Sequence, residues 1–166
     1  MVPDYEIAVF GKGDALPEQA EEMFAEQLAD SRRPLPEDRW DRELWRFALV
    51  CAVGERGEVL GGVHLEIGPI GGAGPLARRK LAYLERTLVR PEFRRRGLAT
   101  RLLHRAIEVA REAGALYIRS SCSWNNPAEQ ALLLTCGFAL VDLDGETDAE
   151  PCYLAVRPLL RDSQSP

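Results

Sequence analysis

Apolar and polar residues alternate along Tyr5–Phe10, the period of two that marks a strand. Gly11-Lys12-Gly13-Asp14 breaks the pattern. Across Pro17–Asp30 the period lengthens, and Ala20, Met23, Phe24 and Leu28 fall on one side of an amphipathic helix with Pro17 near its start. Ser31–Pro36 reads as a proline-bearing loop and Glu37–Trp45 as a short helix carrying Trp40 and Leu44 on one face. Phe47–Val53 and Val59–Ile67 are β-rich runs joined by the turn Gly54–Gly57, a hairpin signal. Gly68–Pro75 holds four glycines and two prolines and predicts an irregular loop. Leu81–Val89 is the next strand.

The strongest helical pattern spans Gly97–Ala113. Leu98, Leu102, Ala106, Val109 and Ala110 form its inner stripe, Arg101, Arg105, Glu108 and Arg111 face outward, and Gly114 ends it. Leu116–Ser121 is a further strand. Asn126-Pro127-Ala128-Glu129 is a capping box with proline at the first helical position, and that helix runs to Gly137. Phe138–Leu143 and Tyr153–Val156 close the chain as strands around an acidic loop, Asp144–Glu150. The predicted order is β-α-α-β-β-β-α-β-α-β-β. The fold class is therefore mixed α/β (α+β), with antiparallel hairpins in the first half and without the strict alternation of a doubly wound sheet. No repeat or linker divides the chain, so residues 1–160 read as one domain and 161–166 as a frayed tail.

Composition narrows the function. The chain has 166 residues, 46% of them hydrophobic and 28% charged, enough to bury a core without metal or disulfide support. Its net charge of −5 argues against a protein built to grip nucleic acid. No apolar run approaches the roughly 20 residues of a membrane span, and Asp4 and Glu6 stand where a signal peptide would be basic. The four cysteines, Cys51, Cys122, Cys136 and Cys152, lie far apart, which reads as reduced thiols in a cytosolic, cytoplasmic protein. Two histidines, His64 and His104, are too few for a His-based metal site, so no metal is expected.

Chemistry concentrates between Leu84 and Leu103. A strand ends at Val89, a turn passes Pro91, and Arg94-Arg95-Arg96 leads into the small-residue helix start Gly97-Leu98-Ala99-Thr100. Free amides and the dipole at a helix N-terminus favour an anion. Gly97 and Ala99 allow close approach, and arginines suit phosphate oxygens. A pyrophosphate fits such a cradle; a merely basic surface helix would set three cations against the helix dipole.

On these residues the sequence resembles the GCN5-related N-acetyltransferase (GNAT) family. The family's R/Q-x-x-G-x-G/A signature reads Arg94-Arg95-Arg96-Gly97-Leu98-Ala99 here. Val89-Arg90-Pro91 precedes it, and an Asn-led helix from Asn126 to Gly137-Phe138 follows. The resemblance implies a central, mostly antiparallel twisted sheet flanked by helices. It implies an N-acetyltransferase that moves acetyl from acetyl-CoA, as co-substrate, to a primary amine of a small molecule or peptide by direct attack in a ternary complex. It places the pyrophosphate on the Arg94–Thr100 turn and the pantetheine arm along Leu88 and Val89. Asn126 would touch that arm, although capping alone also explains it. A homodimer is among the assemblies this family forms.

An alkyl ammonium with a pKa near ~10.4 needs a base at neutral pH. Glu85 is the candidate, where relatives often carry Glu or His; a salt bridge to Arg86 or to a charge on a neighbouring strand is the structural alternative. The Val89 amide could polarise the thioester carbonyl. Strict alternation predicts Tyr83, Glu85, Thr87 and Val89 on one strand face and Leu84, Arg86 and Leu88 on the other. The family's usual acid, a Tyr four residues before Gly-Phe, is Leu133 here, leaving Cys136, Tyr153, water or no acid at all. The glycine-rich loop lacks a Gly-Lys-Ser/Thr phosphate motif. Arg78-Arg79-Lys80 reads as solvated charge, His64 as a packed or surface side chain, and Trp124 as either a groove wall or a core cover. Two other functions compete: an acetyl-CoA-binding regulatory module with weak or no transferase activity, and an adaptor whose basic turn docks an acidic protein.

Overall fold

The computed structural model describes residues 4–32, 45–142 and 151–159. Seven strands form one sheet in the order β1-β2-β3-β4-β5-β7-β6. They are β1 (Tyr5–Gly11), β2 (Arg46–Gly54), β3 (Val59–Pro69), β4 (Lys80–Val89), β5 (Ala115–Ser123), β6 (Ala139–Asp142) and β7 (Cys152–Pro158). The helices are α1 (Glu18–Met23), α2 (Ala25–Arg32), α3 (Leu98–Glu112) and α4 (Pro127–Thr135). All neighbouring strands pair antiparallel except β4 and β5. A parallel pair needs a crossover, and α3 supplies it.

The observed element order matches the expected string, but by a different route. The single helix predicted over Pro17–Asp30 bends at Phe24 into α1 and α2, while Phe24 N still donates to Ala20 O (3.0 Å) and Leu28 N to Phe24 O (2.9 Å). Ala20, Phe24 and Leu28 are fully buried along one side of both helices, as their spacing predicts. The helix predicted over Glu37–Trp45 lies outside the described residues apart from Trp45, which is not helical. The acidic loop Asp144–Glu150 also lies outside them. β3 runs to Pro69, so Gly68 is not loop as predicted; the indole of Trp45 packs over it so closely that a Cβ there would meet the ring.

Two apolar layers hold the sheet. The larger gathers Leu98, Leu102, Leu103 and Ala106 of α3 and Leu133 of α4 against β2–β5, and the smaller sets Ala20, Phe24 and Leu28 against Leu49, Cys51 and Val59. Gly62 makes the second layer possible: a Cβ there would stand 2.9 Å from both Phe24 Cε2 and Val50 O. Burial pushes the Cys51 thiol up to about 12. Burial, with the Glu129 carboxylate nearby, pushes Cys122 to about 11, and burial raises Cys136. No helix among the described residues is long and apolar enough to cross a membrane.

One irregularity shapes everything downstream. On the β3–β4 ladder Leu65 faces Leu84 and His64 faces Arg86, so Glu85 and Arg86 span a step that β3 takes with one residue. Such a bulge reverses the alternation of faces beyond it. Leu84 lies in the α3 layer, Leu88 in the α1 layer, and Val89 back against the α3 layer. The expected grouping of Leu84 with Leu88 and of Tyr83 with Val89 is therefore wrong. Arg86 sits 3.7 Å from Glu26 of α2, which confirms the side to which the bulge turns it.

His64, opposite this bulge, is fully buried and stacks with Phe47 (5.9 Å between centroids) and Phe24 (6.5 Å). It is a packed core residue, and burial pushes its pKa down to about 4. Between about 4 and the ordinary 6.5 the unfolded chain then binds the extra proton, so this contribution is intact above the ordinary value and is lost as pH falls. From pH 7.5 to 5, wild type should lose about 2 kcal/mol of unfolding free energy more than His64→Leu. Urea midpoints at the two pH values check this; equal losses would show that His64 carries no such term.

Candidate functional site

The functional site grows out of the parallel pair. β4 and β5 are in register only at Lys80↔Ala115, Ala82↔Ile118 and Tyr83↔Arg119. Beyond that, β4 stays with β3 as far as Val89↔Gly61, while β5 stays with β7 as far as Ser123↔Cys152. The two strands part like a fork that opens toward their carboxyl ends, the position at which ligands enter α/β sheets. At the crotch the buried Ser120 hydroxyl donates to Leu84 O (2.8 Å), replacing the lost ladder with one side-chain bond. Arg90 N donates to Leu60 O on β3 (3.0 Å). Strand alternation then aims the amides of Val89 and Thr87 into the gap. Glu85 is exposed at the bulge, on the same side as Arg86 and Tyr83, at the edge of the fork.

Above the fork stands the basic turn. A short 3₁₀ turn, Pro91–Phe93, carries the chain from β4 to Arg94. Arg95 has φ 61° and Gly97 has φ 75°, both left-handed, and helical Leu98 follows directly. A left-handed residue followed by a right-handed one turns successive amides to one side. Among the described residues no side chain caps α3 and nothing approaches the Cβ position of Gly97 within 4 Å, and no acidic residue occupies the helix's first turn. The amides of Leu98, Ala99 and Thr100 therefore face an open, electropositive concavity. Leu98 itself is buried and fixes the helix end to the core. Arg95 and Arg96 are exposed around it. Arg94 differs from expectation: its Nε donates to Val89 O (2.9 Å), so it ties the turn to β4 as well as adding charge.

Asn126 is the N-cap of α4. Its Oδ1 accepts from Glu129 N (3.2 Å) and its Nδ2 donates to Glu129 Oε2 (2.9 Å). The amide caps α4 through one N–H and one lone pair, and its second N–H and second lone pair leave cofactor contact open beside the cap. Gln130 Nε2 donates to the carbonyls of Ser123 (3.0 Å) and Trp124 (2.9 Å), fixing the end of β5. Trp124, half exposed, leans on Tyr153 (5.8 Å between centroids) at that end. No cluster of three His, Cys, Asp or Glu able to hold a metal occurs among the described residues.

The acetyltransferase (GNAT) family model matches residues 16–138, from just before α1 to just before β6. The chain belongs to the GNAT family. No curated protein matches it at the level of sequence. Among solved structures it resembles a Klebsiella pneumoniae protein assigned as an acyl-CoA N-acyltransferase, at TM-score 0.64 and 16% identity over 94% of this chain and 98% of that one. Arabidopsis thaliana NAA60 in complex with acetyl-CoA gives TM-score 0.60 at 15% identity, over 92% and 99%. Nourseothricin acetyltransferase gives 0.52 at 26%, over 77% and 76%. The sheet and flanking helices are those of the GNAT acyl-CoA N-acyltransferase fold.

Within this GNAT chain, Leu133 points into the α3 layer at 1% exposure and offers no donor to a leaving thiolate. Cys136 is buried at the far end of α4, about 15 Å along the helix from Asn126, and its carbonyl accepts from Arg157. Sequence reasoning missed Ser120. A hydroxyl between Ile118 and Cys122 in an otherwise apolar inward row was the available signal. Ser120→Ala leaves Leu84 O buried at the crotch without that donor, and should cost about 1–3 kcal/mol. Chemical denaturation checks it; an unchanged midpoint would show the hydroxyl contributes nothing there.

Proposed function

We propose that this GNAT enzyme is an N-acetyltransferase that transfers the acetyl group of acetyl-CoA to a primary amine within a ternary complex. The observation that carries the reading is the pairing of an uncapped α3 N-terminus with a forked β4–β5 pair directly below it. The first suits a pyrophosphate, the second an extended arm that binds as an extra strand. The NAA60 complex with acetyl-CoA, on the same fold, supports that co-substrate.

Each residue then has a role. Leu98, Ala99 and Thr100 offer amides to the pyrophosphate, with Gly97 keeping the approach open and Arg95 and Arg96 adding charge. Arg94 holds the turn against Val89. Leu88 and Val89 form the strand edge beside the pantetheine arm, and the Val89 amide donates to the thioester oxygen as negative charge builds there. Glu85 takes the proton from the acceptor ammonium, directly or through one water, so that the neutral amine attacks. Leu133 supplies no acid, and none is needed for a thiolate whose conjugate acid has a pKa near ~8.5. Asn126 acts by holding α4 and the end of β5 in place.

Two substitutions test the reading. Gly97→Glu puts a carboxylate into the open space over the α3 amides, and calorimetric acetyl-CoA binding should fall more than about 100-fold. Glu85→Gln should keep that binding while acetyl transfer to an amine panel drops about 100-fold or more. Intact binding in Gly97→Glu would overturn the cradle assignment. Binding in wild type without transfer to any amine would favour an acetyl-CoA-binding module.

A further inference from the structure

We propose that Arg119 selects the acceptor: the amine this enzyme acetylates carries a carboxylate, as an amino acid does, and Arg119 binds that group. The inference rests on the acetyl-transfer reading above and deepens it.

Arg119 and Tyr83 are the last cross-strand pair before the fork opens. The Arg119 guanidinium lies over the Tyr83 ring, 5.1 Å from its centroid. An aromatic face holds a guanidinium flat and leaves its in-plane N–H groups free to form a bidentate contact with a carboxylate. Among the described residues no carboxylate makes an ion pair with Arg119, and its side chain is exposed. By contrast, Arg86 has Glu26, and Arg105 has Glu108 and Glu112.

The face is the right one. Ala82 and Leu84 pack under α3, so Tyr83 between them points to the opposite side, and Arg119 with it. Alternation puts Glu85 on that same side, and the bulge brings Arg86 there beside it. Without the extra residue, alternation would carry Thr87 there in the place of Arg86, and the face toward α1 and α2 would not hold adjacent Glu85 and Arg86. Tyr83 and Glu85 are two residues apart on an extended strand, about 7 Å. An acceptor with its ammonium at Glu85 thus meets a fixed cation within a few bonds' length. That arrangement matches a molecule with both charges, and it repels one with a second cation at the same place.

The test compares amino acids with their own carboxamides, at equal concentrations of free amine, as acceptors and as ligands of the CoA-loaded protein. Acetylation is followed by product formation and binding by calorimetry, for wild type, Arg119→Gln, Arg119→Lys and Arg119→Glu. Acetyl-CoA affinity and circular dichroism confirm that each variant is folded and loads its co-substrate. We expect wild type to favour the carboxylate form at least tenfold in kcat/KM and in binding. Arg119→Gln should lose the preference mainly through KM, Arg119→Lys should keep part of it, and Arg119→Glu should reverse it. Transfer to both forms with no preference, or a preference that survives Arg119→Gln, overturns the proposal and leaves the acetyl-transfer reading standing. Arg119-dependent binding of the carboxylate form without transfer shows that Arg119 holds the carboxylate, but it overturns the acetyl-transfer reading and with it the acceptor role proposed here. The absence of both binding and transfer for every carboxylate-bearing amine tested overturns the proposal.

Discussion

The site depends on one uncompensated step in a hydrogen-bond ladder. β4 spends Glu85 and Arg86 against a single residue of β3, and three pairs of contact with β5 are all that follow from its start to Tyr83. A β-strand that changes twist at one residue cannot keep two straight neighbours. β3 retains it and β5 does not. The Ser120 hydroxyl on Leu84 O marks where the departure begins, and the groups proposed for co-substrate binding and proton transfer lie beyond that bond.

The same step sorts the chemistry by side. Beyond the bulge, Val89 faces the α3 layer and Leu88 the α1 layer, while Glu85 and Arg86 are both turned toward α1 and α2. The groups proposed to bind phosphate gather at the α3 terminus, and the carboxylate proposed to accept the proton comes in from the opposite side of the sheet. One thioester held in the gap would be reached from both. The rigid backing is local. Gly62 admits Phe24, Phe24 stacks on His64, and His64 sits behind Arg86, so the bulge rests on an aromatic layer with little room to relax.

The sequence revealed the elements more fully than their junctions. Helical and strand periods located nearly every element, because each reports its own burial pattern locally. The α3 cradle was legible for the same reason: helix start, glycine and arginines are contiguous. The bulge was not legible, since Leu84–Val89 reads as smooth alternation and only pairing with β3 exposes the additional residue. Its consequence, the exchange of faces between Leu84 and Leu88, could not be had from one strand alone. The bend at Phe24 was hidden because Ala20, Phe24 and Leu28 keep helical spacing through it. Arg94 looked like its two neighbours in sequence, and only its bond to Val89 O sets it apart. Asn126 was legible as a cap, since the capping-box residues sit within one turn. Arg119 and Ser120 were invisible as site residues because their partners, Tyr83 and Leu84, lie on a different strand.

The buried cysteines have a practical consequence. Cys51, Cys122 and Cys136 are shielded from water and held protonated, so disulfide reagents and maleimides will meet them slowly in the folded protein. Cys152 alone is partly accessible. A chromogenic assay for liberated sulfhydryl can therefore be run on the native enzyme with a background of at most one equivalent. Any rise above that stoichiometry during a blank run would signal unfolding rather than turnover.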